Sequence, residues 1–142
     1  MGLDDPTKKM SKSSPTPKNY ISLMDDEKTV LKKISSAVTD SESTIKFDES
    51  RKGLANLLTI YSLVTKKSIP EIEKEFNGKG YGDFKKTLAA HITTFLSPIQ
   101  KNIEQHLKDE KKLNQLIEAG SKKAREIAQR KMIEVRKRIG VA

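Results

Sequence analysis

The chemistry-bearing residues of this chain are concentrated near its start. Lys8-Lys9-Met10-Ser11-Lys12-Ser13 sets two ammonium groups, Lys9 and Lys12, three residues apart, with one serine hydroxyl between them and another after. Pro6, Pro15 and Pro17 flank the stretch, which disfavours helix and sheet alike and makes it a loop that can move. A loop of this kind can close on a polyphosphate. Lysine acts as a point charge on phosphate oxygens, and serine hydroxyls and free backbone N–H groups add donors. The same letters also describe a solvated basic linker, and charge alone does not separate the two.

Other constellations carry less. Gly78-Lys79-Gly80-Tyr81-Gly82 has the glycine density of a phosphate cradle, but no strand precedes it, so a helix stop and restart is the simpler reading. His91 and His106 lie far apart with no cysteine and no paired carboxylate beside them, which gives neither metal-ligand spacing nor a triad. Asp25-Asp26-Glu27 has the charge of a cation site, yet carboxylates there fit the positive end of a helix better. No metal site is expected. The absence of cysteine removes thiol chemistry and disulfides.

The elements that must position the loop are helices. Val30, Leu31, Ile34 and Val38 repeat at helical spacing after the acidic trio, predicting a first helix from Asp25 to about Val38. Leu54, Leu57, Leu58, Tyr61 and Val64, widened by Ile60 and Leu63, make a second, central one. Ser68 with Pro70 opens a short third helix that Asn77-Gly78 stops. The fourth runs from Tyr81 through Phe84, Leu88, Ile92, Phe95, Leu96, Ile99 and Ile103 to Leu107, with a bend or break expected at Pro98. The fifth, Glu110 to Ile139, turns Leu113, Leu116, Ile117, Ile127, Val135 and Ile139 to one side, and Gly120 marks a place where it can divide. The fold expected is all-α: an antiparallel helical bundle around one core, preceded by an irregular loop segment, with residues 1–24 as the loop and 25–142 as the helical region.

Composition agrees. Of 142 residues, 35% are hydrophobic and 33% charged, a profile of helices with wide wet faces. No apolar run is long enough to cross a membrane or act as a signal peptide, so no membrane role is expected, and a cytoplasmic setting suits the lack of cysteine. The net charge of +9 is gathered toward the end, where residues 109–142 hold ten basic and five acidic side chains. Lys122, Lys123, Arg125, Arg130, Lys131, Arg136, Lys137 and Arg138 favour a polyanion such as RNA. An acidic partner domain, an acidic membrane surface or plain solvent suits the same face. The abrupt opening Met1-Gly2-Leu3-Asp4-Asp5-Pro6, with nothing core-forming before it, reads as the start of a piece of a longer protein.

Lys9-Met10-Ser11-Lys12-Ser13 resembles the KMSKS motif of class I aminoacyl-tRNA synthetases, and its surroundings resemble the bacterial-type tryptophanyl-tRNA synthetases. Asp5-Pro6-Thr7-Lys8 precedes the motif, and Asp25-Asp26, Lys32-Lys33-Ile34 and Ala37-Val38-Thr39-Asp40-Ser41-Glu42 follow it. Gly53-Leu54, Asn56-Leu57-Leu58, and Gly78 to Gly82 with Phe84-Lys85 continue the likeness over essentially the whole chain. Ser14 stands where many relatives carry Asp.

The resemblance implies the C-terminal portion of such an enzyme, lacking the N-terminal Rossmann catalytic domain and its His-x-Gly-His segment. It implies that Lys9, Ser11 and Lys12 act in catalysis, and that Lys9, Met10, Ser11, Lys12 and Ser13 hold the phosphates of ATP, with Mg²⁺ in the full-length enzyme. It also implies that the helical region binds tRNA and the anticodon, and that the full-length enzyme is a homodimer, while the piece alone is inactive. Tyr81 and Phe84, beside Lys79, Lys85 and Lys86, are the nearest aromatic and basic neighbours for reading unstacked bases. The rival readings are a free-standing basic RNA-binding module, the matching piece of a tyrosyl-tRNA synthetase, and a helical protein whose basic tail meets an acidic surface. Residues 1–24, without a catalytic partner, are expected to be disordered.

Overall fold

The computed structural model describes residues 1–141, and among them the regular structure is entirely helical. A 3₁₀ turn at Pro17–Asn19 is followed by α1 (Glu27–Ser35), α2 (Lys52–Thr65), α3 (Ile69–Glu75), α4 (Tyr81–Lys108) and α5 (Glu110–Ile139). The chain forms two compact units, Met1–Gln100 and Lys101–Ala142.

Local chemistry sets the helix starts in the first unit. Asp26 caps α1, its carboxylate accepting the Thr29 N–H at 2.8 Å. Ser68 and Glu71 form a reciprocal capping box on α3, with Pro70 in the first turn, where its missing N–H has no partner to lose. α1 ends at Ser35, a turn earlier than its apolar spacing predicts, because Ala37 and Val38 leave the helix to meet the start of the chain: Val38 N–H donates to Leu3 O at 2.8 Å.

That crossing explains Gly53. A Cβ at this position, in the first turn of α2, would lie 2.2 Å from Val38 O. Only glycine lets the helix pass so close to backbone.

The core of this unit gathers Val30 and Ile34 of α1, Leu54, Leu57, Leu58 and Tyr61 of α2, Ile72 of α3, and Phe84, Leu88, Ile92 and Leu96 of α4. At its centre Tyr61 stacks on Phe84 at 5.7 Å, and Phe76 meets both rings edge-on at 5.6 and 5.2 Å. His91 packs its ring against Tyr61 at 5.2 Å.

Three expectations need correction. α4 continues through Pro98 without a break. Pro98 is exposed, as is Thr94, the residue four back whose carbonyl loses its amide donor to the ring. α5 also continues through Gly120, and none of its residues is buried: Leu116, Ile117, Ile127, Ile133 and Ile139 are largely exposed. The third concerns residues 1–24, which are tied into the first unit rather than free of it. Leu3 belongs to the core and Asn19 is buried.

The second unit holds the end of α4 and all of α5. Asp109 separates α4 from α5 and caps the latter, accepting the Lys112 N–H at 3.0 Å. Gly140, at φ +73°, closes it with a left-handed residue. No described helix is long and apolar enough to cross a membrane.

Candidate functional site

The loop holding Lys9 and Lys12 is built from short-range turns. The Asp5 carboxylate accepts from Thr7 N–H at 3.0 Å and from Thr7 Oγ1 at 2.5 Å, and pairs with Lys8 Nζ at 2.9 Å. These contacts, Lys8 foremost, draw the Asp5 carboxyl down to about 2. Gly2 N–H donates to Lys8 O at 2.8 Å, closing the turn onto the buried start of the chain. Beyond it, Ser14 N–H donates to Ser11 O at 3.1 Å, and Ser13 N–H donates to Ser11 Oγ at 3.2 Å.

The lysines therefore divide by role. Lys8 is neutralised by Asp5. Lys9 and Lys12 are exposed, and neither forms an ion pair among the described residues. Met10 between them turns inward and packs against the core. Alternation of this kind anchors the loop by its thioether and leaves the two ammonium groups, with the exposed Ser11 and Ser13, facing solvent.

The exit of the loop is clamped. Asp25 Oδ2 accepts from Ser22 N–H at 2.9 Å and from Lys33 Nζ at 2.6 Å, and Lys33 Nζ also lies 5.0 Å from the centre of the Tyr20 ring. From α4, Gln100 Nε2 donates to Leu23 O and Asp25 O, both at 2.9 Å. Asp25 and Asp26 thus serve a buried lysine and a helix cap.

The aromatic and basic residues expected to face RNA are mostly engaged inside the protein. Phe84 is in the core. Tyr81 Oη donates to Asp40 Oδ1 at 2.5 Å and accepts from Arg51 Nη2. Arg51 in turn grips Asp40 through Nε at 2.9 Å and Nη2 at 3.0 Å, and reaches Thr44 O and Lys46 O. This hub holds residues 40–51 in place of a helix, and the Arg51 guanidinium keeps the Asp40 carboxyl well below the usual carboxylate range. Lys85 is caged by backbone, as described below. Of the group proposed from sequence, Lys79 and Lys86 remain exposed.

Lys79 borders a different feature. A groove of about 520 Å³ opens between residues 43–46 and the end of α3, with Lys46, Lys74 and Lys79 at its edge and Phe76 and Asn77 along it. Lys79 Nζ sits 5.2 Å from the Phe76 ring centre. No sequence motif marks this groove, because its two walls are about thirty residues apart.

Residues 1–97 match the family model described as class I tRNA synthetases (W and Y). The tryptophan–tRNA ligase of Halalkalibacterium halodurans is 48% identical over 142 residues, covering 99% of this chain and 43% of that protein. The Bacillus anthracis tryptophan–tRNA ligase is 46% identical, covering 100% and 43%. A crystal structure of tryptophanyl-tRNA synthetase from Mycoplasma pneumoniae superposes with a TM-score of 0.67 at 37% identity, over 74% of this chain and 33% of that one. The chain spans less than half the length of these relatives.

Proposed function

Because the chain belongs to the class I tRNA synthetases of the tryptophan and tyrosine group, we propose that it supplies the ATP-phosphate loop and part of the tRNA-binding surface of a tryptophan–tRNA ligase. The observation that carries this reading is the pair of unpaired ammonium groups, Lys9 and Lys12, on a loop anchored to the core at Met10 and Asp25. In amino-acid activation the substrate carboxylate oxygen bonds to the α-phosphorus of ATP while the bond from that phosphorus to the bridging oxygen breaks. Negative charge grows on the departing pyrophosphate. Lys9 and Lys12, with the Ser11 hydroxyl, meet that charge, and Met10 and Ser13 complete the phosphate-binding stretch. Fixed cations that act on developing charge lower the barrier rather than only tightening nucleotide binding.

The amino-acid pocket and the Rossmann catalytic domain belong, in this reading, to the length of the relatives that this chain does not span. The chain alone is therefore expected to be inactive, and the whole enzyme to be a cytoplasmic homodimer. Residues 1–24 close the catalytic domain, and 25–142 form the tRNA-binding region. Magnesium accompanies ATP in the full-length enzyme in this reading, bound chiefly through the nucleotide's own phosphate oxygens. Lys46, Lys74 and Lys79 around their groove, and the basic face of α5, are the surfaces suited to tRNA.

Amino-acid-dependent ATP–pyrophosphate exchange by the full-length enzyme tests the reading. Exchange with tryptophan and not with tyrosine is expected. Exchange with tyrosine, or RNA binding with no exchange at all, contradicts it.

A further inference from the structure

We propose that Asn19 is a positioning residue for the phosphate loop, its side-chain amide holding the Ser11 backbone on one side and Asp4 on the other. The inference rests on the reading that Lys9 and Lys12 act on ATP.

Asn19 is only 6% exposed, a rare place for an asparagine in a polar, proline-flanked segment. All its polar groups are used. Oδ1 accepts the Ser11 N–H at 3.2 Å, and Nδ2 donates to Asp4 Oδ1 at 2.5 Å. The backbone N–H donates to Thr16 O at 3.0 Å, and the backbone oxygen accepts from Leu3 N–H at 2.9 Å. Partner chemistry fixes the amide orientation, since an N–H needs the oxygen and a carboxylate needs the NH₂. Leu3 is core, and its own oxygen is bonded to Val38 N–H, so Asn19 is referenced to rigid structure.

Ser11 lies between Lys9 and Lys12. Its other hydrogen bonds stay inside the loop, to Ser13 and Ser14. The Asn19 contact is therefore the polar tie that carries the register of the buried framework to the two ammonium groups. Gly2 forms the floor beneath it: a Cβ there would lie 2.3 Å from Asn19 Nδ2 and 2.9 Å from Asp5 O. A serine at position 19 is too short to span Asp4 and Ser11 together, and an aspartate keeps the acceptor but sets a carboxylate against Asp4.

The test uses the full-length enzyme. Asn19→Asp is expected to lower kcat for tryptophan-dependent pyrophosphate exchange about tenfold, with the KM for tryptophan unchanged, and to speed hydrogen exchange at the Ser11 amide. Adding Asp4→Asn restores a donor–acceptor pair with the roles exchanged, and is expected to return both readouts to within about threefold of wild type. A urea midpoint within experimental scatter of wild type in Asn19→Asp separates a displaced loop from a lost fold, and a fall in kcat seen only together with a lowered midpoint overturns the proposal. Unchanged kcat in Asn19→Asp, loss that Asp4→Asn does not reverse, or a wild-type Ser11 amide that exchanges as fast as that of Lys12, for which no acceptor is found among the described residues, overturns the proposal. Ser11 exchange reports the tie whatever the loop binds, whereas insensitivity of the exchange rate to Lys12→Ala would instead remove the phosphate-loop reading.

Discussion

Lys85 Nζ, on α4, lies 2.7 Å from the Ala37 carbonyl oxygen, and within 3.4 Å of Ser35 O and 3.2 Å of Thr39 Oγ1. A lysine that sequence alone offers to RNA is thus a cap on the carbonyl end of α1, where a cation meets both orphan carbonyls and the negative end of the helix dipole. Burial lowers its affinity for the proton, and three oxygen acceptors keep the ammonium satisfied. Lys85→Met retains the aliphatic stem but leaves those oxygens without a donor. A loss of about 1–2 kcal/mol in urea unfolding is expected, with no change in the salt dependence of tRNA binding.

The Arg51–Asp40–Tyr81 hub predicts graded effects. Asp40→Ala strips the guanidinium of its bidentate partner and should destabilise the chain by about 2–3 kcal/mol, less than for a fully buried pair because Asp40 is partly solvated. Tyr81→Phe removes one shared hydroxyl and should cost about 1 kcal/mol. The double variant should fall short of the sum in chemical denaturation, since both changes act on the same guanidinium.

Two glycines on helices should respond to alanine with opposite signs. At Gly53 the new Cβ meets Val38 O, so backbone must move, and a loss of about 1–3 kcal/mol is expected. At Gly120 nothing lies within 4 Å, and alanine should stabilise α5 by up to about 1 kcal/mol through helix propensity. Helix content followed by circular dichroism during heating separates the two.

Acid should unfold the first unit below about pH 4. Asp5, paired with Lys8, titrates near 2, and Asp40 and Glu75 are held down by Arg51 and Lys67. A carboxyl whose value is lower folded than unfolded binds fewer protons in the native state, so its contribution is present above the ordinary value near 4 and is lost as pH falls through the folded one. At the alkaline end burial raises Tyr81 to about 12, so the neutral phenol favours the fold up to pH 10 and this contribution disappears between 10 and 12. Urea midpoints measured across both ranges should fall at each end, and Asp40→Asn should flatten the acid limb.

What the sequence disclosed is what short-range chemistry controls. The acidic start of α1, the Ser68-Pro70 start of α3, the stop before Gly78 and the five helices are each written within a few residues of where they act. The candidate phosphate-binding residues were legible for the same reason, being one contiguous string. Asn19, Arg51 and Lys85 were missed in their actual roles because each acts on residues far away in the chain, Lys85 nearly fifty positions from Ala37. Nothing beside them announces the partner. Helix periodicity likewise showed that α5 has an apolar side without showing that this chain leaves it uncovered.

The most direct test of the account is tryptophan-dependent ATP–pyrophosphate exchange by the full-length enzyme carrying Lys12→Ala. A fall in kcat of about 10²-fold or more is expected, the usual consequence of losing one fixed charge aimed at a transition state, while the KM for tryptophan stays near wild type. A rate equal to wild type would show that the Lys12 ammonium does not act on the departing pyrophosphate.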